Sequence, residues 1–239
     1  MIHIFLTILA LLCLQWSNVS QAQMLIALDP GHGGSEAGAQ KGILREADIA
    51  LDIAVRMKRH LLQNDFTVVM TREDNSTVGL LKRTEIANNA NADVFISIHV
   101  NAAESSTLHG IETYSVDIAT DGYSEMLAMK ENSGILFDKG DIPTISTSTM
   151  LLSLELSDLV QKSVMSSVEK QYEGHSIQDL GHKTAMFSVL VKAEMPAILM
   201  EVGFMSNPDE LKHIESAHYR ETMAEALTIA LIEWRDRNQ

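Results

Sequence analysis

Cysteine is nearly absent from this 239-residue chain, Cys13 being the single one. Everything downstream of it must therefore manage without disulfides or thiol catalysis, and an oxidising compartment would do it no harm. Aromatic residues make up only 5%, which excludes long aromatic-lined surfaces and leaves the core to Leu, Ile, Val, Ala and Met. Basic charge is scarce too: 18 Lys and Arg stand against 32 Asp and Glu, a net −14, with no run of four basic residues. A nucleic-acid partner needs a positive footprint to neutralise phosphates, and none is offered. Internal repeats, coiled-coil heptads and proline-rich linkers are missing as well, so the length reads as one domain of ordinary size or one domain with a short appendage.

What is present starts with 46% hydrophobic residues, enough for a substantial core. Residues 1–22 carry no Asp, Glu, Lys or Arg and run IHIFLTILALLCLQW before turning polar at SNVSQA. The apolar stretch is too short and too sharply ended for a spanning helix, and Ser20 and Ala22 precede a plausible cut. It reads as a secretory signal peptide of 1–22 ahead of a mature 23–239, with no stable membrane span in the mature chain.

Beyond it, 24–29 reads as a strand ended by PGHGG, 46–62 as a helix with Ile49, Ile53, Met57 and Leu61 on one face, and 66–70 as a strand. Residues 77–90 read as a helix and 92–98 as a strand. This alternation predicts an α/β domain with a mostly parallel or mixed central sheet flanked by helices on both faces. Further strands are expected at 111–116, 185–190 and 197–202, and a closing helix at 216–235. The segment 117–175 breaks the rhythm: it holds helix-like stretches at 123–131 and 150–170, is longer than a connection needs, and reads as a helical insertion, for which a lid, a regulatory insertion and a partner-binding arm all fit.

Parallel sheets gather chemistry at the carboxyl ends of their strands. His32, in DPGHGGSEAG, and His99, in SIHVNA, both sit at such ends. Zinc takes imidazoles and a carboxylate around an open position when it activates water, and Glu46, at the start of the first helix, is the most economical third ligand. The same residues could instead be loop histidines and a helix N-terminal acid. Glu201 arrives at the end of the apolar run AILM, where an unpaired charge is costly unless it has a task or a partner; beside activated water it could move protons, or it could be a salt-bridged strand end. Asp29 could orient the His32 imidazole or cap the turn, and Asn101 could face substrate or tie down its loop. His175 and His182 lack matching strand-end positions. The glycine-rich stretch fits neither GxGxxG nor GxxxxGK[ST], and neither GxSxG nor HExxH occurs.

Taken together, DPGHGG at 29–34, Glu46, TRE at 71–73, LLKRTEIAN at 80–88, ADVFISIHVNA at 92–102 and PAILMEVGFMSNPDE at 196–210 resemble the zinc-dependent N-acetylmuramoyl-L-alanine amidases of peptidoglycan. The resemblance implies one catalytic Zn²⁺ on His32, Glu46 and His99, Glu201 as the catalytic glutamate, and hydrolysis of the amide joining N-acetylmuramic acid to L-alanine. It departs at Val100, where alanine is more usual. The insertion resembles that of the Gram-negative cell-division type, which implies a periplasmic enzyme of daughter-cell separation, an autoinhibitory element within 123–149 with Glu131 as inhibitory ligand or gate, and an activator protein that displaces it. A peptidoglycan-binding regulator without catalysis and a zinc peptidase are the competing readings.

Overall fold

The computed structural model describes residues 23–133, 145–172 and 177–238; the expected signal segment 1–22, residues 134–144 and His175 lie outside them. Among the described residues eight strands form: β1 (Leu25–Pro30), β2 (Gln40–Lys41), β3 (Leu44–Arg45), β4 (Thr67–Met70), β5 (Val94–Asn101), β6 (Ile111–Ser115), β7 (Asp179–Thr184) and β8 (Ala197–Phe204). The helices are α1 (Glu46–Gln63), α2 (Leu80–Asn89), α3 (Gly122–Glu131), α4 (Thr147–Gln171), α5 (Ser188–Val191), α6 (Pro208–Glu215) and α7 (Ala217–Asn238). The main sheet runs β4-β1-β5-β8-β6-β7. Its pairings are parallel except β6 against β8, so the sheet is mixed. Among the described residues no helix is long and apolar enough to cross a membrane.

The period-two alternation of strands divides the core. Ile26, Leu28, Ile96, Ile98, Val100, Ile198, Met200 and Val202 face one layer, built by α1, α4 and α7. Ala27, Phe95, Tyr114, Ala197 and Leu199 face the other, under α2, α3 and α5. On this second face the strands change character toward one end of the sheet: Asp29, Ser97, His99, Asn101, Glu112 and Glu201 follow the apolar positions and are all buried. The face that carries the smaller core cluster thus also carries most of the polar site.

One expectation needs correction. Residues 185–190 are not a strand: β7 lies just before them, and Ser188–Val191 turns as a short helix with all four side chains buried. A short apolar run without alternation does not distinguish strand from helix, whereas β7 (DLGHKT) is a polar, half-exposed edge strand with a glycine and none of the usual strand signature. Helix α6 was not anticipated, although Asn207 caps it by accepting from the Asp209 and Glu210 N–H groups and Pro208 opens it.

The segment 117–175 contains two unlike parts. Helix α4 buries Leu156, Val160, Val164 and Val168 in the main core, and its Ser153 Oγ accepts from Ala197 N on β8. Helix α3 buries only Ser124, Leu127, Ala128 and Glu131.

Candidate metal and catalytic site

The loop after β1 places His32 with a left-handed φ of 57°, a conformation that costs a non-glycine residue free energy unless its surroundings impose it. Two buried arginines do so. Arg72 donates to the carbonyls of Pro30 (2.9 Å), Gly31 and Ala47 (both 2.8 Å). Arg83 donates to the carbonyls of Pro30 (2.8 Å) and His32 (2.6 Å) and to Asp29 Oδ1 (2.8 Å). Asp29 also accepts from Thr71 (2.6 Å) and Ser97 (2.8 Å). Burial alone would raise its pKa, but Arg83 and these hydrogen bonds hold it below the usual value. Asp29 therefore supports His32 through Arg83 and the backbone, not by touching the imidazole as the sequence suggested.

Glu46 opens α1 and is buried. Its Oε2 accepts from Ala39 N at 2.8 Å and its Oε1 from Val100 N at 2.9 Å, which fixes the carboxylate between the two histidines. His32 Nε2 lies 3.2 Å from Glu46 Oε2, and His99 Nδ1 lies 3.0 Å from Glu46 Oε1. From α3, Glu131 Oε2 reaches within 3.2 Å of His32 Nε2 and 3.5 Å of His99 Nδ1. The backbone is cut close to admit these groups: a Cβ on Gly31 would lie 2.5 Å from the His99 ring, and one on Gly38 2.4 Å from Glu46 Oε2.

Donor atoms of His32, Glu46, His99 and Glu131 all fall within 4.8 Å of one another. His32 Nε2 and Glu131 Oε2 are buried and close no well-formed hydrogen bond despite their proximity. Two imidazoles and two carboxylates converging on one point suit a divalent metal of borderline softness. Burial works against a charged His32, yet Glu131 and Glu46 push its pKa up to about 10. Burial would likewise raise Glu46, but the two histidines hold it well below the carboxylate range. A cleft of about 310 Å³ opens over these residues, lined also by Lys130 and Arg83. His60, Glu221 and Glu225 form another cluster between α1 and α7, but Glu221 is engaged there by Arg56 and Arg59, so it reads as an ion-pair network.

Glu201 lies within β8, in register with His99 on β5 and opposite Glu112 on β6. Burial first, then the charges of Glu46, Glu131 and Glu112, raise its pKa well above the carboxylate value, and its Oε2 is buried without a hydrogen-bond partner. Asn101 ties down its loop, Oδ1 accepting from Ala102 N (2.7 Å), while Nδ2 donates to Glu112 Oε1 (2.9 Å) and to the Tyr123 hydroxyl (2.9 Å). His182 sits away from this centre, beside Asp158. Arg72, Arg83, Glu112, Tyr123 and Lys183 were not singled out from the sequence. Glu112 carried a usable signal, a charge inside the strand IETYSV, the same anomaly that marked Glu201.

The family model for N-acetylmuramoyl-L-alanine amidase (Amidase_3) matches residues 26–233. The N-acetylmuramoyl-L-alanine amidase AmiC of Neisseria meningitidis serogroup B is 32% identical over 215 residues, covering 85% of this chain and 50% of that protein. The chain spans about half the length of the AmiC relatives it matches. Among solved structures, an N-acetylmuramoyl-L-alanine amidase from Clostridium difficile 630 superposes with a TM-score of 0.71 at 31% identity, over 91% of this chain and 99% of that one. The CwlD amidase of Clostridioides difficile, solved in complex with the GerS lipoprotein, gives 0.68 at 27%, over 90% and 100%. The mixed sheet, the converging histidines and glutamates, and these likenesses lead to one conclusion: the chain belongs to the N-acetylmuramoyl-L-alanine amidase family.

Proposed function

We propose that this chain hydrolyses the amide between the lactyl group of N-acetylmuramic acid and L-alanine in peptidoglycan, outside the cytoplasmic membrane in the periplasm. The observation that carries the reading is the convergence of His32, Glu46 and His99, with Glu201 in register on the neighbouring strand. These three side chains would hold Zn²⁺, which when bound supplies Lewis-acid polarisation of the scissile carbonyl and activation of water. Glu46 is oriented for this by the Ala39 and Val100 N–H groups, as ligand carboxylates generally are by an outer shell. Glu201 takes the proton of the attacking water at its carboxylate and returns it to the departing L-alanine nitrogen. Its dry surroundings raise its proton affinity toward the range in which a carboxyl group can do both.

Glu131 fits the role of an inhibitory fourth ligand or gate, since it enters the same donor cluster from the sparsely buried α3. In this reading the regulatory part of 117–175 is α3 with the segment that joins it to α4, and an activator protein draws it away; the lipoprotein bound by CwlD offers a parallel in another member of the fold. The catalytic domain is 23–239, and daughter-cell separation is the process the activity would serve.

The test is release of stem peptide from purified peptidoglycan by the mature chain, by Glu201→Ala and by a form lacking 123–149. Product with a free L-alanine amino terminus, abolished by chelation and by Glu201→Ala, is expected, with more product from the shortened form. A folded, zinc-loaded shortened form that releases nothing would overturn the amidase reading; equal activity of the long and short forms would remove the gate alone.

A further inference from the structure

Glu112 is a fully buried carboxylate that the proposed reaction leaves without a task. It stands opposite Glu201 across the antiparallel β6–β8 pairing, on the same face. Its Oε2 accepts from Lys183 Nζ at 2.7 Å and its Oε1 from Asn101 Nδ2 at 2.9 Å. The remaining partner comes from α3. The Tyr123 hydroxyl accepts from Asn101 Nδ2 at 2.9 Å and donates to Glu112 Oε1 at 3.3 Å, while Lys183 Nζ lies 5.1 Å from the Tyr123 ring centroid. Burial, then the charges of Glu112 and Glu201, push the phenol pKa up, so the hydroxyl keeps its proton and remains a donor.

A buried, charged set of this kind is expensive to maintain unless its members are satisfied. Lys183 and Asn101 belong to the sheet and stay with Glu112. The hydroxyl belongs to the helix whose displacement the gate requires. We infer that Asn101 and Glu112 form a substrate subsite for a sugar hydroxyl on the glycan side of the scissile amide, and that the Tyr123 hydroxyl occupies it while α3 is in place.

The geometry selects the chemistry. Donor and acceptor lie 2.9 Å from each other and address a single oxygen. A hydroxyl accepts and donates through one atom; a trans amide presents its carbonyl and its N–H on opposite edges and cannot satisfy both partners at one point. The scissile bond joins a peptide rich in amides to a glycan rich in hydroxyls, so the subsite reads the sugar. Its place beside Glu201 puts that contact next to the reacting bond. The inference rests on the proposed amidase activity and on α3 being displaceable, and it adds what the uncovered surface recognises.

The experiment compares two soluble substrates: an N-acetylmuramoyl peptide, and a methoxypropionyl peptide that keeps the ether and the scissile amide but lacks the sugar. The full chain carries Tyr123→Phe, alone and with Asn101→Ala or Glu112→Gln added. Tyr123→Phe is expected to raise kcat/KM several-fold for the muramoyl substrate and little for the sugarless one. Adding either second change is expected to lower the preference for the sugar by about tenfold or more, mainly through KM, as loss of a specific hydrogen-bonding pair does. Equal losses on both substrates, or an unchanged preference, would overturn the subsite. If neither second variant folds, Tyr123→Phe decides alone: no sugar-specific gain counts against the inference. Titration of the Glu201→Ala/Tyr123→Phe chain with N-acetylmuramic acid, followed by NMR, separates the two readings. Sugar binding that disappears with Asn101→Ala upholds the subsite even where no amide is cleaved, and amide cleavage without sugar binding or preference keeps the amidase and removes the subsite.

Discussion

Helices α3 and α4 come from the same stretch of chain and are held in opposite ways. Helix α4 lies against the sheet with Leu156, Val160, Val164 and Val168 in the main core. Its buried Gln161 accepts from Thr113 (2.7 Å) and donates to the Ile111 carbonyl (2.9 Å) and Asp179. Helix α3 exposes Met126 and Met129 and hides two apolar side chains, Leu127 and Ala128. It is attached at its ends by polar groups: Tyr123 at the first turn, Glu131 at the last, and Asn132 just beyond, whose side chain donates to Met186 O (2.8 Å) and accepts from Ser188 N (2.7 Å). Apolar burial is non-directional and hard to exchange for anything else, whereas polar anchors can be exchanged for water, metal or substrate at small net cost. The contrast teaches that an element can be well placed without being well buried.

Four measurements test this contrast. Leu156→Ala in α4 should lower unfolding free energy by about 2–5 kcal/mol, read by denaturant titration; a loss as small as that from a surface change would mean α4 is no more embedded than α3. Next comes a buried group outside both helices. Glu210 on α6 accepts from the Gly110 and Phe204 N–H groups (both 2.7 Å), and burial, outweighing those bonds, pushes its pKa to about 7. Because the folded state holds this proton more tightly than the unfolded chain, its stabilising contribution is present below about pH 4.5 and is lost as pH rises through about 7, by up to about 3 kcal/mol. Glu210→Gln should flatten that part of the pH–stability curve, and an unchanged slope would exclude Glu210 as its source.

Third, Glu131→Ala should raise activator-free release of stem peptide about tenfold, about 1.4 kcal/mol of gate equilibrium, with the unfolding midpoint nearly unmoved; a large stability loss without gain of activity would make α3 as structural as α4. The smallest effect is expected from Asn132→Ala, about 1 kcal/mol, seen as faster amide exchange in α3 with no change in α4. Equal acceleration in both helices would show that they open together.

The sequence showed the scaffold well because its signals were periodic. Ile49, Ile53, Met57 and Leu61 recur at helical spacing and are all buried in α1, and β1, β5 and β8 are apolar runs broken toward their carboxyl ends by Asp29, His99 and Glu201. His32, Glu46 and His99 were legible because each is a metal-capable side chain placed where a strand or helix begins or ends, and the structure brings them to one point. Edge strand β7 was not legible: it is mostly polar with a single apolar residue, Leu180, and only its pairing with β6 makes it a strand. Nor were the supporting roles of Arg72 and Arg83, because a guanidinium that serves distant carbonyls leaves no local pattern. Glu112 was overlooked beside a residue with the same anomaly, since its partners Asn101, Tyr123 and Lys183 are separated in sequence and meet only across three elements.

The arginine clamp on the His32 loop also orders events in time. The loop's carbonyls are satisfied by side chains 41 to 53 positions further along the chain. A chain emerging from its amino terminus therefore cannot set His32 until β4 and α2 have arrived, and His99 comes later still. Closing such long loops is a late, cooperative step. The donor geometry around His32 is thus acquired only once β4, α2 and β5 have assembled against β1, so that metal affinity at this point is coupled to tertiary folding.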